Sequence, residues 1–511
     1  MEEGSVSVEK ASSCSVEEIE LEMLVPSARE NGKKLMKEGS ANVRAEGAAV
    51  SSRLAGVTEE KVLGRSVEAM EKQTTRTEQN GSYTSWVVDM KQQLEHANPE
   101  AEMARWKQRC IYRAPEWMKE ITNSKAYRPW LVSLGPFHHG ERHLLPMEEH
   151  KRRAVLHLVK RSGKPLEAFV AAIEEVADEL QAAYEDLDDQ WRGANKGRFV
   201  ELMVTDGCFL LELLRMIVLG PRRYSMAEDD YAPNDPLFSA HFSTLWCKFR
   251  NDMIALENQL PLVVLQIIYT VQYGGCLDAR SINAMVLCLL GGEHTEDMDS
   301  LGLHFLDIFH KSYCGTCPAL ERSDDYELRT PFATELSDAG IQFEKTNTES
   351  IHDIDFVNGV LSIPMFEVYD STEIIYLNMM AFEWLHPGTE WDVGFYINFM
   401  DGIIESESDA ALLRSKGILG NFVGSDKKVV ELFSTLTKLT KAPRKGSKLG
   451  HVQWKLKAHC RKRRNRWRAI FVKNYLSNPW VFISLVAAVI LLIATLLQTC
   501  YTIVPFYTRK G

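Results

Sequence analysis

The stretch Lys196–Leu219 reads KGRFVELMVTDGCFLLELLRMIVL. Phe199, Leu202, Met203, Phe209, Leu210, Leu213, Leu214 and Ile217 recur at spacings of three and four, the period of an α-helix. So apolar a set leaves no side suited to water, which predicts a helix at the centre of a core. On its N-terminal side, Pro165–Trp191 places Phe169, Ile173, Val176, Leu180, Tyr184 and Leu187 in one stripe with acids opposite. That predicts a single amphipathic helix. On its C-terminal side, His241–Tyr273 keeps the helical period except at Asn258-Gln259-Leu260-Pro261, where proline closes one helix and opens the next. Farther on, Thr330-Pro331 ahead of an apolar run, with Gly340 after it, predicts a short capped helix. Ile341, Phe343, Ile354, Phe356, Val360, Leu361, Ile363 and Phe366 then lie among Gly, Asn and Pro, the pattern of two or three short strands. Helical periodicity returns over Thr372–Leu385, near Phe395–Ile404 and over Asp426–Thr440. The expected fold class is mainly α, a large helical body over 105–440 with a small β element near 341–369.

Over 511 residues the composition is ordinary for a globular protein: 45% hydrophobic, 25% charged, 9% aromatic. The charge is unevenly distributed. Leu432–Gly511 holds sixteen Lys or Arg and no Asp or Glu, giving +16 against −27 for the remainder. Ten cysteines are too few for a disulfide scaffold. The opening MEEGSVSVEK lacks a cationic segment followed by an apolar one, so no cleaved secretory signal is expected. No aromatic residue occurs before Tyr83, and Met1–Ser82 carries fifteen Glu against eleven Lys or Arg. Such a segment cannot offset an ordering cost of ~1–2 kcal/mol per residue, so 1–100 is expected to be a mostly disordered acidic arm.

Trp480–Cys500 reads WVFISLVAAVILLIATLLQTC, and no charged residue lies between Asn474 and Thr508. As a helix this stretch is about 31 Å long, matching a hydrocarbon core of ~30 Å. The expected organisation is a basic juxtamembrane neck over 441–476, a transmembrane helix over 477–500 and a short tail over 501–511. Trp480, Phe482, Leu485, Leu491, Leu497 and Tyr501 are the expected membrane anchors, with the aromatics at the two interfaces. Arg461, Lys462, Arg463, Arg464, Arg466, Arg468 and Lys473 lie upstream, against Arg509 and Lys510 downstream. This asymmetry places the body in the cytosol, the layout of a tail-anchored protein. Whether the membrane is plasma membrane or endomembrane is left open. The run RKRRNR, interleaved with Trp454, Trp467 and Phe471, also fits a nucleic-acid patch. Its place beside the span favours an anionic leaflet instead, so lipid is the expected partner and nucleic acid is not.

Several motifs in order resemble the plant domain-of-unknown-function 247 family. They are IYRAPEWM (Ile111–Met118), AYRPWLVSLGPFHHG (Ala126–Gly140), MEEHKRRAV (Met147–Val155), DGCFLLELL (Asp206–Leu214), NDMIALENQLPLVVL (Asn251–Leu265), ATELSDAGIQF (Ala333–Phe343) and NPWVFISLVAAVILL (Asn478–Leu492). The resemblance covers roughly 105–505. Ala114 and Leu262 depart from it, where a larger aliphatic and an aromatic residue are expected. It implies single-pass plant membrane proteins without an established catalytic activity, some grass members being associated with the pollen side of self-incompatibility. Recognition or signalling through a protein partner follows as family analogy.

Three constellations bear on chemistry. His138, His139, Glu141, His143, Glu148, Glu149 and His150 fall within thirteen residues, and a metal would need three or four of them to converge. Pro136 and Pro146 mark a turning loop there, so a structural role is expected. Cys314-Gly315-Thr316-Cys317 is a CxxC with His304 and His310 nearby, but Leu301–Tyr313 before it reads as helix rather than strand. Ordinary reduced cysteines are expected. Asp206, Asp252 and Glu257 sit on strongly apolar segments. With a histidine they could serve a membrane-tethered enzyme, the alternative function. The commoner use of such acids is to satisfy buried donors, with Arg113, Arg128, Arg215 and Arg250 as candidate partners. No dinucleotide, P-loop, HExxH or GxSxG motif occurs. No catalytic residue, cofactor or small-molecule substrate is assigned.

Overall fold

The structure, a computed structural model, describes residues 85–219, 231–232, 235–238, 242–292, 298–315, 330–348, 350–440, 448–461 and 479–508. The chain divides into two compact units, Met1–Ala97 and Asn98–Gly511. Within the first, the described residues form α1 (Ser85–His96), which buries no side chain. Of the arm expected over 1–100, residues 85–96 are helical, and 1–84 lie outside the described residues.

The second unit opens with α2 (Pro99–Gln108), α3 (Glu116–Ile121), α4 (Leu145–Ser162), α5 (Leu166–Glu175) and α6 (Ala177–Ala182), followed by α7 (Lys196–Leu219). The single helix expected over 165–191 is broken. Val176 leaves helical geometry at φ −104°, and helix ends at Ala182. The carbonyl of Ala183 is taken by the amides of Cys110 and Ile111, and the amide of Glu185 bonds the Ile111 carbonyl. Residues 183–185 thus serve an incoming extended segment instead of the next turn. The apolar stripe nevertheless faces the core: Phe169, Ile173, Leu180, Tyr184 and Leu187 are buried and Val176 is half-buried.

Helix α7 matches its expected bounds and is central: α4, α5, α9 (Leu262–Tyr273) and α10 (Ala279–Leu290) all pack on it. Gly207 makes one of these approaches possible, because a Cβ there would lie 2.4 Å from Ile268 Cδ1. Helix α8 (Phe242–Ile254) precedes α9, and the break between them falls at 255–261 with Pro261 as N-cap. Helices α11 (Phe305–Cys314) and α12 (Ala333–Asp338) follow.

The β element is two small sheets. Strands β1 (Gln342–Lys345), β2 (Asp355–Val357) and β3 (Val360–Ile363) are ordered β1-β3-β2, with β1 parallel and β2 antiparallel to β3. Asn358 and Gly359, at φ 52° and 87°, make the two-residue turn that joins β2 to β3. Strand β4 (Phe366–Val368) pairs in parallel with β5 (Leu419–Asn421). Strand β5 reads only Leu-Gly-Asn, too short for an alternating pattern to mark it. Between these strands run α13 (Thr372–Leu385), α14 (Asp392–Ile403) and α15 (Glu407–Ser415). Helix α16 (Asp426–Leu436) and a 3-10 turn at Thr437–Leu439 complete the run expected over Asp426–Thr440.

The basic neck is not simply a linker. Helix α17 (Lys448–Arg461) buries Val452, Gln453 and Leu456 and packs against β2 and α14. Lys448 Nζ donates to the His352 carbonyl at 2.7 Å, and the His459 ring meets Phe356 edge-on. Helix α18 (Pro479–Thr508) is 30 residues long, and its Trp480–Tyr501 segment has a mean hydropathy of 2.8 with no part buried. It is the one helix among the described residues long and apolar enough to cross a membrane.

Candidate functional site

The three acids singled out by their apolar surroundings are all enclosed, and each is committed to the segment 113–141. Asp252, on α8, accepts from the amides of Trp130 (2.8 Å), Leu131 (2.7 Å) and Val132 (2.8 Å). Three N–H donors favour the carboxylate, but burial outweighs them and pushes its pKa up to about 6. Asp206, on α7, accepts from the Gly135 amide at 2.8 Å and pairs with Lys151 Nζ at 2.8 Å, both side chains fully enclosed. Burial raises its pKa against the pull of Lys151. Gly135 has φ +70°, and a Cβ there would meet the Gln259 carbonyl at 2.6 Å, so only glycine lets the loop come this close.

Glu257 anchors a chain of polar side chains that runs outward. Its carboxylate accepts from the Ala114 amide at 2.9 Å, lies 3.0 Å from Lys119 Nζ and bonds His138 Nε2 at 3.1 Å. His138 Nδ1 in turn meets Glu141 at 2.7 Å, and Arg128 Nη2 reaches Glu141 at 2.8 and 2.9 Å. Burial opposes ionisation of Glu257, yet His138 and Lys119 hold its pKa below the usual range. The same balance, with His138 and Arg128, lowers Glu141.

Amide side chains complete the framework. Asn258 accepts from the Leu134 amide and donates to the Val132 and Asp252 carbonyls. Gln259 donates to the Met253 and Ala255 carbonyls. Asn378, from α13, accepts from Leu256 and donates to Ala126. These bonds supply partners for backbone groups that the break between α8 and α9 leaves without helical ones. Motifs far apart in sequence therefore meet in one buried polar framework whose product is a rigid 126–141 loop.

On that loop Trp130 is 60% exposed although its amide is fixed by Asp252. A large aromatic on a pre-ordered backbone is the usual anchor of a protein interface, since little entropy is lost when it is covered. Trp117 and Ile121, on α3, are also exposed.

His139 sits edge-on to Trp191, His143 bonds the Pro129 carbonyl, Glu148 pairs with Lys151, and His150 bonds Arg153. Of the 138–150 histidines, His138 and His143 both reach Glu141, at 2.7 and 3.7 Å, while His139 and His150 meet Trp191 and Arg153. None of the four arginines pairs with the three acids: Arg113 pairs with Asp188, Arg128 with Glu141 and Arg215 with Glu212, while Arg250 lies over Trp246 and Phe309. The cations that do so are lysines, Lys119 on Glu257 and Lys151 on Asp206, and Lys151 is invisible in the charged run EEHKRRAV. His304 bonds the Cys110 carbonyl, and burial pushes its pKa down to about 4. His310 and Cys314 do come together, with Glu383 of α13, which no sequence signal marked. Cys317 lies outside the described residues. Trp480, Phe482, Leu485, Leu491, Leu497 and Tyr501 all lie on α18, with Trp480 and Tyr501 78% and 80% exposed. Of the lipid-contact residues only Arg461, at the end of α17, is described; Lys462, Arg463, Arg464, Arg466, Arg468 and Lys473 lie outside the described residues.

Residues 111–494 match the sequence model of the domain-of-unknown-function 247 family, whose members are described as plant proteins of unknown function. The chain is 26% identical over 435 residues to the UPF0481 protein At3g47200 of Arabidopsis thaliana, covering 78% of this chain and 87% of that one. A second Arabidopsis UPF0481 protein, At3g02645, is 27% identical over 177 residues, 34% of this chain and 33% of its own. No solved structure matches.

Proposed function

The chain belongs to the domain-of-unknown-function 247 family of plant proteins, and on that premise we propose that it is a single-pass membrane protein whose cytosolic helical body recognises another protein. The observation that carries this reading is Trp130, exposed on a loop whose backbone is fixed from beneath by Asp252. The anchor in this reading is α18, with basic residues from Arg461 to Lys473 on its cytosolic side, where they attract anionic lipid. The 17 residues 462–478 can span at most roughly 60 Å, so α17 and the body on which it packs stay near the bilayer. Signalling in self-recognition is the family-level form of this proposal. Of the three enclosed acids only Glu257 bonds a histidine, and both partners are buried, which favours recognition over a catalytic use.

Proximity labelling from the full chain in plant tissue is expected to recover a protein absent from a control carrying only the 479–508 helix. Trp130→Ala is expected to weaken binding of that protein by about 30-fold, the equivalent of a hot-spot loss of ~2 kcal/mol. Its thermal stability should be unchanged, because the substituted side chain is exposed. Equal binding by the variant would remove Trp130 from the interface. Orientation has its own measurement. Protease added to intact vesicles is expected to digest a tag at Met1, and a protected tag would reverse the proposed topology.

A further inference from the structure

His310 and Cys314 lie one turn apart on α11, and Glu383 faces them from α13. All three are buried. Glu383 Oε1 lies 2.9 Å from His310 Nε2, and Cys314 Sγ lies 3.5 Å from the same nitrogen against 3.9 Å from Nδ1. This is not the geometry of a nucleophilic relay, in which the acid holds one ring nitrogen and the thiol meets the other. An Nε2 with a single proton satisfies one acceptor, yet here thiol and carboxylate both approach it. The three donor atoms lie within 4.8 Å of one another.

A tetrahedral zinc ion accounts for that crowding. Bonds of about 2.0–2.1 Å to nitrogen or oxygen and about 2.3 Å to sulfur put neighbouring ligand atoms roughly 3.3–3.6 Å apart. The sulfur–nitrogen separation already has this value, and the oxygen–nitrogen separation needs to open by only a few tenths of an ångström. Charge agrees: a thiolate and a carboxylate neutralise a divalent cation, as an enclosed site requires. The carboxylate is also held from outside. The Val393 amide donates to Oε1 at 2.8 Å and the Gly394 amide to Oε2 at 3.0 Å, both from the first turn of α14. Such outer contacts orient metal ligands.

We propose that His310, Cys314 and Glu383 form a zinc site that ties α11 to α13, with a water molecule as fourth ligand. The full chain, purified in detergent without a histidine tag or chelator, is expected to carry one zinc per molecule. Exchange into Co²⁺ should give the visible bands of a tetrahedral site and a thiolate-to-cobalt charge-transfer band, which added Zn²⁺ abolishes. Cys314→Ser should lose the charge-transfer band, whereas Cys276→Ser, at an exposed cysteine, should keep it. Glu383→Gln should retain that band but bind Co²⁺ at least tenfold more weakly. A wild-type chain that takes up neither Zn²⁺ nor Co²⁺ would overturn the assignment, leaving a His310–Glu383 hydrogen bond beside a core thiol. A charge-transfer band lost in Cys276→Ser but kept in Cys314→Ser would overturn it equally.

Discussion

Lys151→Met is expected to lower stability by about 3–5 kcal/mol, the cost of leaving a buried charge without its partner. The side chain has no exposure, and its ammonium meets Asp206 and Glu148 at 2.8 Å and the Ser133 hydroxyl at 3.2 Å. Methionine fills nearly the same volume, so the loss reports charge and not a cavity. Asp206 remains enclosed and must either stay ionised without a cation or take up a proton. Either course is costly against a total stability of ~5–15 kcal/mol for an ordinary domain. The measurement is the urea midpoint of the full chain in detergent, followed by circular dichroism. The double variant Lys151→Met with Asp206→Asn should recover more than half of the loss, because the neutral amide oxygen can still accept from Gly135. If the second substitution instead adds its own full cost, an unpaired carboxylate is not what destabilises the single variant.

That pairing also marks where sequence reading stops. Helical periodicity located α7, the break between α8 and α9, and α13 nearly to the residue, since each is set by burial of neighbouring apolar positions. The 165–191 segment kept its stripe but not its helix, because bonds to Cys110 and Ile111 are made by residues some seventy positions away. Strand β5 has three residues and exists through pairing with β4, so no local period announces it. The enclosed acids were legible as charges on apolar segments. Their partners were not. Lys151 sits in a run that reads as a solvated helix start, and Glu383 belongs to a helix whose apolar pattern needs no further explanation.

The same limit applies to Trp130 and to the arginines. Pattern alone gives no reason to separate Trp130 from a core tryptophan; its exposure follows from three amides around it being drawn inward to Asp252. Conversely, Arg128 was expected beneath the surface with an acid and instead closes the outer end of the Glu257–His138–Glu141 chain. The framework thus spends its titratable groups on holding one loop still. That is a use of buried polarity suited to binding, where a pre-ordered surface loses less entropy on association.

Replacing both Ile490 and Leu491 with arginine is expected to release the protein from membranes. These residues lie at the middle of the Trp480–Tyr501 segment, and both are exposed along α18. The twelve Val, Ile, Leu and Phe residues from Trp480 to Cys500 together favour insertion by roughly 4–7 kcal/mol. Each central arginine opposes it by about 2.5–3.5 kcal/mol, and two of the twelve favourable contributions are lost, a swing of roughly 6–8 kcal/mol. That is enough to cancel the drive for insertion. Arginines at Trp480 and Tyr501 should have little effect, because near the interface their side chains can reach the headgroups. The measurement is the fraction of full chain that sediments with membranes after carbonate extraction. The native chain and the end-substituted variant should pellet, and the centrally substituted variant should stay in the supernatant. Equal pelleting of all three would mean that α18 does not lie in hydrocarbon, since no position along a rod surrounded only by water distinguishes its centre from its ends.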